Sequence, residues 1–156
     1  MSRQLPLPDE FHVKDEVNAV HHARNRITTV VGSWDVPLSR AALADVKLCA
    51  SEVITNALLH GGGECSVRVQ WTGTHLKIDV TDLSLRPPQP AAQNTEALGG
   101  RGLTLVEEFS HSWGWEPHGA GKKVFFLVAA DAALIGDRRL TSLVRAANDQ
   151  LQQVPA

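Results

Sequence analysis

Glu52, Asn56 and His60 follow one another at intervals of four in the run Glu52-Val53-Ile54-Thr55-Asn56-Ala57-Leu58-Leu59-His60. On a helix that spacing aligns all three along one side. Glu52 falls between the apolar positions Ala50 and Val53, so it sits at the margin of the buried stripe and needs a partner or solvent there. A carboxylate and an amide oxygen one turn apart suit a hard cation such as Mg²⁺, or water bound to it. A plain solvated rim pair is the competing account of the same pattern. Asp82 closes the strand-like run Ile78-Asp79-Val80-Thr81-Asp82, where it is either a turn former or an acceptor for the exocyclic amine of a base. Gly99-Gly100-Arg101-Gly102 then precedes a short apolar helix. Glycines let backbone N–H groups approach phosphate oxygens, a helix start favours anions, and Arg101 adds charge-assisted bonds. A glycine cluster taken alone also describes an ordinary loop.

The elements that must carry these residues can be read from periodicity. Residues 1–13, with Pro6 and Pro8, predict an extended arm or edge strand. Val17, Val20, Ile27, Val30 and Val31 predict a first helix from about Asp15 that ends near Gly32 and is closed off by Pro37. Ser39 is the expected N-cap of a second helix. Its stripe is Val46, Ala50, Val53, Ile54, Ala57 and Leu58, and Gly61-Gly62-Gly63 stops it. A hairpin follows. Cys65, Val67, Val69 and Trp71 alternate with polar residues, Thr72-Gly73-Thr74 turns, and Leu76, Ile78 and Val80 alternate again. Residues 83–100, holding Pro87, Pro88 and Pro90, predict a long loop of the kind that serves as a lid. Leu103–Phe109 predicts a short helix, and His111–Pro117 and Lys122–Val128 two strands joined at Gly119 and Gly121. Leu140, Leu143, Val144, Ala147 and Leu151 give the tail helical spacing. Strands in runs rather than in strict alternation with helices predict an α+β, two-layer sandwich, with helices on one face of an antiparallel or mixed sheet.

Composition narrows the function. The 156 residues suit one domain, and 43% hydrophobic with 21% charged residues is the globular range. A formal net charge of -2 leaves no basic surplus for non-specific nucleic-acid binding. No apolar run approaches the roughly 18 residues of a membrane span. The start of the chain lacks the apolar stretch of a secretory signal, so a cytoplasmic protein with reduced Cys49 and Cys65 is expected. There is no P-loop, because Gly121-Lys122 lacks both the upstream glycine and a following Ser or Thr. The four tryptophans, Trp34, Trp71, Trp113 and Trp115, are expected in the core or at its rim. Trp113 and Trp115 share one strand face, and would hint at a partner surface if both were exposed.

Taken together these segments resemble the GHKL ATPase superfamily, which includes gyrase and the ATP domains of sensor kinases. The run from Glu52 to His60 is similar to its N box, Asp82 to the Asp of its G1 box, and Gly100-Arg101-Gly102-Leu103 to its G2 box. Among its branches the chain most resembles the short bacterial anti-sigma-factor serine kinases. Asp82, Pro87-Pro88, Gly99–Leu103 and Trp113-Gly114 occur in their order, and the likeness spans about residues 10–129. Two departures stand out. Leu83-Ser84-Leu85-Arg86 replaces the glycines that usually follow the G1 Asp, and residues 130–156 extend past the usual end of the domain.

The resemblance implies a Bergerat-type ATP-binding domain over residues 1–129, with 130–156 as a helical extension used in packing or dimerisation. It implies ATP and Mg²⁺ as cofactors, with Asn56 holding the metal and Glu52 acting as general base or orienting the attacking hydroxyl. His60, Gly100, Arg101, Gly102 and Leu103 would line the nucleotide, Asp82 would bind the adenine amine, and residues 83–98 would form the lid. The implied partners are a sigma factor and a STAS-type anti-anti-sigma protein whose serine is phosphorylated. A homodimer is also implied, with no direct role for nucleic acid or membrane. Two other functions compete with this kinase. One is a regulator that binds without phosphorylating, toward which the altered G1 box leans. The other is a sensor histidine kinase ATP domain, with His21 or His22 as phosphoacceptor, although no two-helix dimerisation module precedes the box.

Overall fold

A computed structural model describes residues 4–88 and 102–131. The elements run β1 (Asp9–Lys14), α1 (Ala19–Trp34), α2 (Arg40–His60), β2 (Glu64–Trp71), β3 (His75–Asp82), α3 (Gly102–Phe109), β4 (Ser112–His118) and β5 (Gly121–Ala129). The five strands form one sheet in the order β1-β2-β3-β5-β4. Every pairing is antiparallel, so of the two sheets that the sequence admits, antiparallel or mixed, it is the antiparallel one. The expected arm is thus an edge strand, paired along β2 from Asp9 opposite Val69 to Lys14 opposite Glu64. The expected lid beyond Pro88, Gly100, Arg101 and the expected tail helix lie outside the described residues.

The two-residue period of the strands divides the sheet faces. Register sets Val67 opposite Val80, Ile78 opposite Phe126 and Trp71 opposite Leu76, and all six side chains point into the helix layer and are buried. Ile27 and Val31 of α1 and Val46, Ala50, Ile54 and Ala57 of α2 close the core from above. Trp113 and Trp115 do share a face, but it is this inner one, opposite Phe126 and Val124. Trp113 packs on the core and Trp115, 38% exposed, forms its rim. The outer face carries the polar partners of the alternation: Lys77 reaches over the Phe125 ring at 5.3 Å, and Lys123 pairs with Glu116 at 3.1 Å. No helix among the described residues is long and apolar enough to cross a membrane.

The helix ends differ instructively from the sequence reading. α1 begins four residues later than Asp15, because Asn18 adopts a left-handed conformation (φ 62°) and leaves Val17 87% exposed. It also runs through Gly32, which faces open space, so that Trp34 reaches the core. A glycine inside a helix costs about 1 kcal/mol against alanine, less than burying an aromatic returns. Ser39 caps α2 as expected, its Oγ accepting from the Ala42 N–H at 3.0 Å. At the other end Gly62 and Gly63 supply the left-handed turn (φ 96° and 83°). Gly61 does not (φ -109°), and it is glycine for a different reason, given below.

At the far end of the sheet, His75 is 2% exposed. Its Nδ1 lies 2.7 Å from the Thr74 hydroxyl, its Nε2 is buried without a partner, and the His111 ring sits 4.7 Å away. Burial, and secondarily the nearby His111, hold the His75 pKa below the usual imidazole value. The folded chain therefore binds fewer protons there than the unfolded chain. Stability from this group is complete above about pH 6.5 and declines as the pH falls below it. Urea midpoints compared at pH 7.5 and pH 5.5 should fall more in the wild type than in His75→Gln. Equal falls in both proteins would remove His75 as the cause.

Candidate functional site

α2 is the element that positions the predicted residues. Its buried stripe pins the helix rotation, which sets Glu52 and Asn56 at the stripe's edge, both half-buried, and His60 in the last turn, exposed. Among the described residues neither Glu52 nor Asn56 has a side-chain hydrogen bond or ion pair. Burial raises the Glu52 pKa above the ordinary carboxylate value. Cys49, one turn before, has its thiol pushed up to about 12 by burial and then by the charges of Asp45 and Glu52, which makes it an inert core group. On the opposite flank of α2 a shallow cleft of about 360 Å³ opens toward α1, lined in part by His21, Arg24, Ser51 and Leu58. It includes none of Glu52, Asn56 or Asp82.

Asp82 lies at the end of the inner face of β3, beneath the C-terminus of α2. A Cβ on Gly61 would meet the Asp82 Cγ at 2.6 Å, so only glycine lets the helix end this close. The Leu83 N–H donates to the Gly61 carbonyl at 3.3 Å, tying the two together. On the other side Gly121 packs against the Asp82 carbonyl so closely that a Cβ there would overlap it. These contacts bring the C-terminal end of α2 and the end of β3 into one place.

The carboxylate itself is already engaged. Lys122 stands directly opposite Asp82 in the β3–β5 register. Its Nζ donates to Oδ1 at 3.1 Å and to Oδ2 at 2.9 Å. The side chains of the pair are 7% and 2% exposed. The Ser84 N–H donates to Oδ1 at 2.8 Å, so the chain leaving β3 folds back on Asp82 in an Asx-type turn. The residues standing in for the usual glycines are thereby used: Ser84 caps the carboxylate, while Leu83 and Leu85 are 63% and 71% exposed. Cys65 feels the same carboxylate, and burial together with the Asp82 charge pushes its thiol up to about 12.

Three comparisons with known proteins bear on this site. A family model described as histidine kinase-like ATPase domain matches residues 13–127. The chain belongs to that family. In fold, the chain is similar to part of a solved structure of the RsbU and RsbW domains of Rv1364c from Mycobacterium tuberculosis. That solved structure superposes with a TM-score of 0.60 at 18% identity, covering 80% of this chain and 32% of that one. A histidine kinase domain from Erythrobacter litoralis EL346 aligns with a TM-score of 0.47 at 19% identity, over 82% of this chain and 64% of that one. By sequence, the anti-sigma F factor of Pasteuria penetrans is 31% identical over 101 residues. That alignment covers 56% of this chain and 66% of that protein.

ATP is the ligand of this family, and the residues fit it unevenly. Glu52 and Asn56 offer oxygen atoms with no competing partner among the described residues, as a hydrated Mg²⁺ requires. Leu103, 4% exposed, packs into the structure at the start of α3 and so anchors the helix that follows the glycine loop. Asp82 does not fit an adenine amine in this geometry, because its carboxylate is buried and paired with Lys122. Sequence reasoning overlooked Lys122, although the signal was present. Lys122, Val124, Phe126 and Val128 alternate in phase, which places a lysine where β5 otherwise holds core residues.

Two stability measurements test this description. Removing one partner of a buried ion pair leaves an uncompensated charge and costs about 3–5 kcal/mol. Lys122→Met should therefore lower the unfolding free energy by about that amount in urea titrations, and Asp82→Leu/Lys122→Met should recover most of it. For Glu52 the sign is opposite. Its raised pKa means that the folded chain holds the proton to higher pH than the unfolded chain, so the ionised group costs stability at neutral pH. Glu52→Gln should raise the melting temperature at pH 7, and the gain should vanish as the pH falls through the ordinary carboxylate range.

Proposed function

We propose that this chain is an anti-sigma-factor-like serine/threonine protein kinase, which sequesters a sigma factor and phosphorylates a STAS-type anti-anti-sigma protein. The observation that carries the reading is the pairing of Glu52 with Asn56. They are half-buried, one turn apart and without other partners among the described residues, on the helix that this reading takes as the nucleotide helix. The relative named anti-sigma F factor supports the regulatory half. Residues 1–129 form the nucleotide-binding unit in this reading, residues 130–156 an extension for packing or dimerisation, and the protein acts in the cytoplasm as a homodimer.

When bound, Mg-ATP supplies the phosphoryl group. Asn56 would hold the cation through its amide oxygen, a hard neutral donor. Glu52 would accept the proton of the attacking serine hydroxyl, and a pKa raised by burial brings it nearer the operating pH, where a general base works best. His60, Gly100, Arg101, Gly102 and Leu103 would line the phosphates, with Arg101 supplying charge-assisted bonds.

A second reading, a regulator that binds its partner without phosphorylating, is favoured by the engaged Asp82. One pair of variants separates the two. Asn56→Ala should weaken Mg-ATP binding at least about tenfold by calorimetric titration, the loss of one charge-assisted contact. Glu52→Ala should keep binding, yet slow transfer of label from ATP to a STAS partner by about 10²–10⁴-fold. Undiminished transfer in Glu52→Ala removes the base role. Absence of transfer in the wild type, with binding intact, selects the second reading.

A further inference from the structure

The Asp82 carboxylate, which would read a purine amine, is already held by Lys122. The Lys122 ammonium spends two of its three N–H donors on the two Asp82 oxygens, at 3.1 and 2.9 Å. The Ser84 N–H takes a further position on Oδ1. Gly61 and Gly121 press on Asp82 from the helix end and from β5, so closely that a side chain on either would overlap it. A ligand that captured the carboxylate would also leave the lysine charge unpaired in a site where it is 7% exposed. Unpairing a buried charge weakens such a ligand by about two to three orders of magnitude. A hydrogen bond to a charged acceptor returns only about one to two orders.

We infer that Lys122 sets the base specificity of the nucleotide site: by locking Asp82 inside the fold it withdraws the one carboxylate that would read the 6-amino group of adenine, leaving a site that takes purine nucleoside triphosphates through their phosphates without preferring adenine. The inference rests on the nucleotide-binding reading above and adds to it which part of the ligand is recognised. The discriminating ligand pair is Mg-ATP and Mg-ITP, which carry an amine and a carbonyl, respectively, at the 6 position of the purine.

Both are titrated calorimetrically against the full chain, against Lys122→Thr and against Asp82→Leu/Lys122→Met. Threonine supplies a β-branched shape that suits β5 and one hydroxyl for Asp82, while freeing the second carboxylate oxygen. The wild type should bind the two nucleotides within about threefold of one another. Lys122→Thr should come to prefer ATP by about tenfold or more. The double variant, whose apolar pair fills the same space without charge, should keep the wild-type ratio. A wild-type preference for ATP of tenfold or more overturns the inference and leaves the nucleotide site standing. Failure of both nucleotides to bind the wild type overturns the nucleotide-binding reading itself, and this inference with it.

Discussion

The buried pair between Asp82 and Lys122 is the constraint around which the rest of this molecule is arranged. Two opposite charges lie almost wholly out of water, 2.9 Å apart, at the meeting point of β3, β5 and the end of α2. Such a pair gains little over an apolar substitute, but it is intolerant of misplacement, because either charge alone is expensive. It therefore specifies register. Lys122 must stand opposite Asp82, which fixes β5 on β3 along all eight partnered positions, and β4 on β5 in turn. The two glycines that flank the pair follow from it, since both elements must come within contact of a carboxylate that has no room to spare.

The same junction explains why α2 has its orientation. α2 is held at its start by the Ser39 cap, along its length by the core stripe, and at its end by Gly61 on Asp82 and the Leu83–Gly61 hydrogen bond. With both ends fixed, the margin of the stripe that bears Glu52 and Asn56 has one available direction. The raised pKa of Glu52 is a consequence of that placement, because a carboxylate beside a packed stripe is partly desolvated whatever else approaches it.

Much of this was legible in the residues. Period-2 alternation located β2, β3 and β5, helical spacing located α2 and its polar flank, and the order of elements predicted the two layers. The first helix was misjudged at both ends. Val17 fitted the period but precedes the left-handed Asn18, and Gly32 read as a stop although tertiary packing of Trp34 carries the helix past it. The tryptophans of β4 were assigned to one face correctly, but which face depends on β5 pairing between β3 and β4, a non-local fact. The Asp82 environment was the largest gap. The residue is separated from Lys122 by forty positions, and the missing glycines after Asp82 signalled only that something differed. The alternation of β5 held the complementary clue, a lysine in phase with Phe126.

The Asp82–Lys122 pair also limits the routes by which this sequence can change. Any lineage that alters one member passes through a chain with a stranded charge, whose folded-to-unfolded ratio is reduced by orders of magnitude. Neutral drift at the two positions is thus closed off one step at a time and open only through paired replacement, or through a prior gain in stability elsewhere. Gly61 and Gly121 are held by the same contact, since neither can acquire a side chain while the carboxylate stays where it is. Four positions scattered over three elements form, in effect, a single inherited unit, and the chemistry that this end of the site can acquire is decided by whether that unit moves as a whole.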